Sequence, residues 1–126
     1  MYLRKNACIY KNMATIYHNP RCSKSRQTLD ILRAKNIDIK IVLYLKDPMS
    51  ASDLTSVLQK LNLTPSQLIR RNETDFKHLQ LDATMVTEQQ LLDAMVMHPA
   101  LIERPIVVVG DKAVIGRPPE NVLGLL

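Results

Sequence analysis

A chain of 126 residues, 46% of them hydrophobic, is large enough for one globular domain with a real core and needs no second one. It has no apolar run near the roughly 18 residues of a membrane span and no apolar segment of the secretory type, which excludes a membrane partner and predicts a cytoplasmic protein. The formal charge of +5 gathers at one end: Arg4, Lys5 and Lys11 lie in the first twelve residues, which hold no acid. The remaining 14 basic and 12 acidic residues are too evenly balanced to suggest a nucleic-acid partner.

Residues 1–12 show no amphipathic pattern, and Met13 stands directly before the first clear strand. They are read as a dispensable or non-native extension, a short strand from Cys8 to Tyr10 being the alternative, with residues 13–126 as the domain. Ala14 to Tyr17 is β-branched and aromatic, a strand pattern, and Leu29, Ile31 and Leu32 continue at helical spacing. Between them runs His18-Asn19-Pro20-Arg21-Cys22-Ser23-Lys24-Ser25-Arg26, which places Cys22 at or near a helix N-terminus.

The unpaired amides of a helix start carry partial positive charge, and Arg21, Lys24 and Arg26 add formal cations nearby. Such surroundings favour the thiolate and lower a cysteine pKa below about 8.5. A lone cysteine is more commonly a small buried hydrophobe, but its polar, basic neighbours favour a reactive thiol. Cys8 and Cys22 are too far apart for a Cys-x-x-Cys pair, and no cluster of His and Cys has metal-ligand spacing.

Asn36 is a helix stop, and Ile37 to Leu45 alternates and then turns continuously apolar, the pattern of a strand entering a covered sheet. Strand, helix and strand make a βαβ unit, with parallel strands and a right-handed crossover. Ser50 or Ser52 can cap a helix carrying Leu54, Val57, Leu58 and Leu61. Thr64-Pro65 opens a short helix with Leu68 and Ile69 inward and Arg70-Arg71 at its end, where cations suit the macrodipole.

Thr74 to Leu81 reads as loop or irregular helix. Thr87 with Gln90 forms a capping box for a helix running to about His98, with Met95 and Met97 as packing residues. Ile106–Val109 and Lys112–Ile115 flank Gly110-Asp111 as a hairpin, and Arg104-Pro105 before it is a candidate cis bond. A last helical stretch covers Asn121 to Leu126, with Pro118 or Pro119 preset for its first turn.

The order β, α, β, helical insertion, β, β, α predicts an α/β protein with a thioredoxin-like fold, its mixed sheet built from a βαβ unit and a C-terminal ββα unit. The usual second cysteine three residues on is Ser25 here, so a resolving thiol must come from outside the motif. A phosphatase loop would need an arginine six residues after Cys22, where Thr28 stands.

The chain resembles the glutaredoxin-dependent arsenate reductases, the ArsC family, and in particular its short chromosomal branch. The resemblance rests on Ile16 to Arg26, Leu43-Tyr44-Leu45, Leu68-Ile69-Arg70, Glu103 to Val108 and Ile115 to Glu120, and runs from Met13 to the end. It implies Cys22 as the catalytic thiol and Arg70, Arg104 and Arg117 as ligands of an oxyanion such as arsenate. Arsenate would be reduced to arsenite through a cysteine–arsenic adduct, with glutathione as co-substrate, glutaredoxin as partner, and no metal or bound cofactor.

On the same pattern His18, Asn19 and Ser25 support the loop, Ser25 by a hydrogen bond to the thiolate, and His18 is open to a base or an orienting role. Arg26, with Arg21, either tunes charge or binds glutathione, or is plain surface. The chain is shorter than plasmid-type members, which also carry smaller residues around the cysteine. Two other readings stand beside the reductase: a glutathione-linked thiol oxidoreductase with another substrate, and a non-catalytic regulator related to the polymerase-binding branch of the fold.

Overall fold

The computed structural model describes residues 13–126, so the expected extension of residues 1–12, with Cys8, lies outside the described part. Two compact units form, one from the chain up to Leu43 together with Arg104–Leu126, the other from Tyr44–Glu103.

The first unit is a four-stranded mixed sheet in the order β2-β1-β3-β4, from β1 (Met13–Tyr17), β2 (Asp38–Val42), β3 (Ile106–Val109) and β4 (Lys112–Ile115). β1 and β2 are parallel from Met13↔Asp38 to Tyr17↔Val42, while β3 runs antiparallel to both β1 and β4. With the helical insertion between β2 and β3, this is the thioredoxin-like arrangement.

Side chains alternate across a strand, so Ala14 and Ile16 of β1 share one face and are both fully buried. They pack with Val107 of β3, with Leu29 and Leu32 of α1 (Ser23–Ala34), and with Val122 of a C-terminal 3-10 helix (Pro119–Leu125). Each of the larger side chains among them, Ile16, Leu29, Leu32, Val107 and Val122, contributes roughly 1.5–3 kcal/mol on burial. Gly110 closes the β3–β4 hairpin at φ +62°, where a side chain would be strained.

β2 departs from the expected strand Ile37–Leu45. Its ladder ends where its partner ends, at Tyr17↔Val42, and His18 N–H makes the last bond to Val42 O at 2.8 Å. Beyond it Tyr44 is buried and Leu45 exposed. β2 is also an edge strand, with Asp38 and Lys40 exposed, so the apolar run did not mark a covered sheet.

In the second unit α2 (Ala51–Leu61) starts at a capping box, Ser50 Oγ accepting from Asp53 N–H at 3.0 Å, and buries Leu54, Val57 and Leu58. It stops at Asn62 in the left-handed region. α3 (Pro65–Leu68) is held at its start by Gln67 Oε1, which accepts from Thr64 N–H at 2.9 Å. α4 (Thr74–His78) buries Phe76, and α5 (Glu88–Met97) begins at the expected Thr87–Gln90 box.

Three further expectations need correction. Met95 is fully buried but Met97 is exposed, since residues two apart on a helix lie about 200° round. Arg70 does not end a helix: α3 stops at Leu68, Ile69 bridges Ile102, and Arg70 N–H donates to Leu101 O at 2.7 Å in extended backbone. The final element is a 3-10 helix from Pro119, not an α-helix from Asn121.

Among the described residues no helix is long and apolar enough to cross a membrane, and no group of three or more His, Cys, Asp or Glu could hold a metal ion.

Candidate active site

β1 delivers the chain at Tyr17, and a five-residue loop, His18 to Cys22, then turns it into α1. Cys22 N–H donates to Asn19 O at 3.0 Å, Arg21 N–H to Asn19 Oδ1 at 3.1 Å, and Arg26 Nη1 to Pro20 O at 2.8 Å. Ser25 Oγ accepts from Asn19 N–H at 3.0 Å and meets His18 Nδ1 at 2.6 Å. His18, Asn19, Ser25 and Arg26 therefore all brace one loop.

Cys22 occupies the N-cap of α1, with extended backbone at φ −93° and ψ 122°. An N-cap side chain faces the free amides of the first turn, where an oxygen usually accepts; here sulfur takes that place, without a side-chain cap hydrogen bond. Burial pushes the Cys22 thiol up, but the Ser25 N–H, the charge and hydrogen bond of Arg104, and the Lys24 N–H outweigh it and hold the thiol below its ordinary value.

Arg117 Nη2 lies 3.6 Å from the sulfur, and its Nε donates to Arg104 O at 2.8 Å. The carbonyl of Arg117 accepts from Asn121 Nδ2 at 3.0 Å. The 3-10 helix thus fixes the backbone from which this guanidinium extends.

The cations nearest in sequence do less than their positions suggest. Arg26 is bonded to the loop carbonyl, Lys24 acts through its main-chain amide, and the guanidinium charge reaches Cys22 from Arg104, with Arg117 alongside. Ser25 also acts differently: its amide, not its hydroxyl, faces the thiolate. Neither exchange is visible in spacing, because one requires hairpin closure and the other the rotamer of a buried serine.

Burial, followed by the charges of Arg33 and Arg26, lowers the pKa of His18. Through its contact with the Ser25 hydroxyl the ring orients the loop. Arg70 lies in the second unit, where Nη1 donates to Glu73 Oε2 at 2.9 Å and to Ala100 O at 3.1 Å. Thr28 and Gly116, unassigned from sequence, meet beneath the Arg117 loop; a glycine directly before an arginine at a strand end was the available signal.

Fold and site define a thioredoxin-like domain with one cysteine at a cationic helix start. The chain belongs to the ArsC family, whose model matches residues 17–125. It is 48% identical over 112 residues to an arsenate reductase of Haemophilus influenzae, covering 88% of this chain and 97% of that one. Over 112 residues it is also 46% identical to the uncharacterised YfgD protein of Escherichia coli, covering 88% and 94%. Among solved structures, an arsenate reductase from Vibrio cholerae matches with a TM-score of 0.87 at 42% identity, over 90% of this chain and 98% of that one.

Proposed function

We propose that the protein reduces arsenate to arsenite through a Cys22–arsenic adduct, with glutathione and glutaredoxin as the source of electrons. The observation that carries this reading is the Cys22 sulfur at the N-cap of α1 with the Arg117 guanidinium 3.6 Å away. A thiolate attacking a multiply charged oxyanion brings negative charge toward negative charge. Arg104 and Arg117 offset that repulsion, and their planar donor forks suit a tetrahedral oxyanion. Arg70 is taken as the third ligand on the Leu68-Ile69-Arg70 motif.

In the first step the Cys22 sulfur bonds to arsenic and an arsenic–oxygen bond breaks, the oxygen leaving as water after protonation. The thiol of glutathione then displaces a second hydroxyl. A glutaredoxin thiolate attacks the glutathione sulfur, the sulfur–arsenic electron pair stays on arsenic, and As(V) becomes As(III). Glutaredoxin departs as the mixed disulfide, and hydrolysis releases arsenite and restores the thiolate. Ser25 in place of a second cysteine agrees with an external reductant.

A coupled assay tests this directly. Arsenite should form only when arsenate, glutathione and glutaredoxin are all present, and Cys22→Ser should abolish it. Failure to form arsenite, with continued reduction of glutathione mixed disulfides through Cys22, would replace arsenate reduction by the thiol oxidoreductase reading.

A further inference from the structure

Gly116 is buried directly before Arg117, and its N–H donates to Pro105 O at 2.9 Å. A Cβ at this position would overlap Thr28 Oγ1 and stand 2.8 Å from Pro105 Cγ and 3.1 Å from Thr28 Cγ2. Thr28 cannot easily yield: it is fully buried on α1, and its hydroxyl donates to Lys24 O at 2.8 Å, which fixes its rotamer. The Gly116 carbonyl lies 3.5 Å from the same hydroxyl. α1 is also the helix whose N-cap carries the sulfur.

We infer that Gly116 and Thr28 form a spacer that sets the reach of Arg117 to Cys22, both acting as positioning residues. One end of the spacer is the helix that carries the thiol at its N-cap, and the other is the backbone from which Arg117 extends. The missing Cβ lets the two come together, and Arg104 O and Asn121 then hold the arginine from the remaining sides. An added methyl group must push the strand end from the helix, and a contact of 3.6 Å has little distance to lose.

The inference rests on Cys22 as the reacting thiol but not on arsenate as its target, so its test uses alkylation. In the full chain, Gly116→Ala should raise the pH midpoint of Cys22 modification. It should also lower the ratio of iodoacetate to iodoacetamide rates by about three- to tenfold, because the anionic reagent senses the displaced guanidinium. Adding Thr28→Ala, which removes the two Thr28 atoms from the crowded site and leaves only Pro105 Cγ, should recover part of both effects, whereas Thr28→Val, which keeps the bulk, should not.

A folded Gly116→Ala protein with wild-type midpoint and ratio, or a shift that Thr28→Ala fails to reduce, overturns the inference. If Gly116→Ala does not fold, Thr28→Val alone places a methyl against the Gly116 carbonyl and should move both readouts in the same direction. An unchanged result in that folded variant is equally decisive. A wild-type protein that fails to reduce arsenate yet shows these shifts would refute the proposed reaction and leave the spacer standing.

Discussion

Removing the Arg117 guanidinium should make Cys22 harder to ionise by an amount the geometry bounds. At 3.6 Å a unit charge and a thiolate interact by about 1 kcal/mol with the dielectric constant of water and by about 4–5 kcal/mol at an effective value near 20. Arg117 is exposed, so screening places the result near the lower figure, at about 1–2 kcal/mol. Since 1.36 kcal/mol corresponds to one pH unit, Arg117→Ala should raise the thiolate midpoint by about one unit. The assay is the pH dependence of iodoacetamide alkylation, with thiolate ultraviolet absorbance as a second readout. Arg117→Lys should recover part of the shift, and raising salt to about 1 M should shrink the wild-type-to-alanine difference as the Debye length falls. A folded Arg117→Ala protein with the wild-type midpoint would refute the reasoning, because the contact would then carry no charge stabilisation.

Arg104 reaches the thiol by both charge and hydrogen bond, so on the proposed reaction Arg104→Lys should lower kcat/KM for arsenate by about tenfold or more despite keeping the charge; unchanged steady-state kinetics would deny a role to the donor fork. Ser25→Ala removes the acceptor of Asn19 N–H and the partner of buried His18, and should cost about 1–3 kcal/mol in denaturant unfolding. The folded thiol ionises below the unfolded one, so the unfolded chain holds more protons between those two values. The stability gained from the thiolate is therefore fully present above about pH 8.5 and lost as pH falls through the folded midpoint, and it should appear as a pH-dependent gap between wild type and Cys22→Ser. His18 likewise has a lowered pKa, and stability should fall as pH drops below about 6.5 toward its folded value; His18→Gln should flatten that limb of the thermal-denaturation profile.

Local signals in the sequence proved sufficient where one short segment decides the outcome. The Thr87–Gln90 box, the Gly110 turn and the Cys22 helix start depend on neighbours within about four residues, and side-chain chemistry at those distances specifies them; of the two serines offered as the next cap, Ser50 takes the role. Burial was less legible. The run from Ile37 to Leu45 reads as one covered strand, but the length of β1 limits its pairing, and no feature of residues 37–45 themselves reports that. Arg70 was misplaced for the same reason: Ile69 leaves the helix to bridge Ile102, a partner far along the chain.

The same distinction explains why the helix-start position of Cys22 could be read from its neighbours, whereas Arg104 and Arg117 were reached only through the family motifs. A helix start marks itself by turn residues before it and periodic apolar residues after it, whereas a cation matters by distance, which the fold sets. Arg26 is four residues from Cys22 and bonds a loop carbonyl; Arg117 is 95 residues away and approaches the sulfur to 3.6 Å. That approach requires the antiparallel return of β3 and β4 beside β1, so the charge at the thiol depends on completion of the sheet. In a chain that has lost the C-terminal strands, the amides of α1 would have to support the thiolate alone. The electrostatic surroundings of Cys22 are thus tied to folding of the whole first unit, although its sequence motif spans only the first loop and helix.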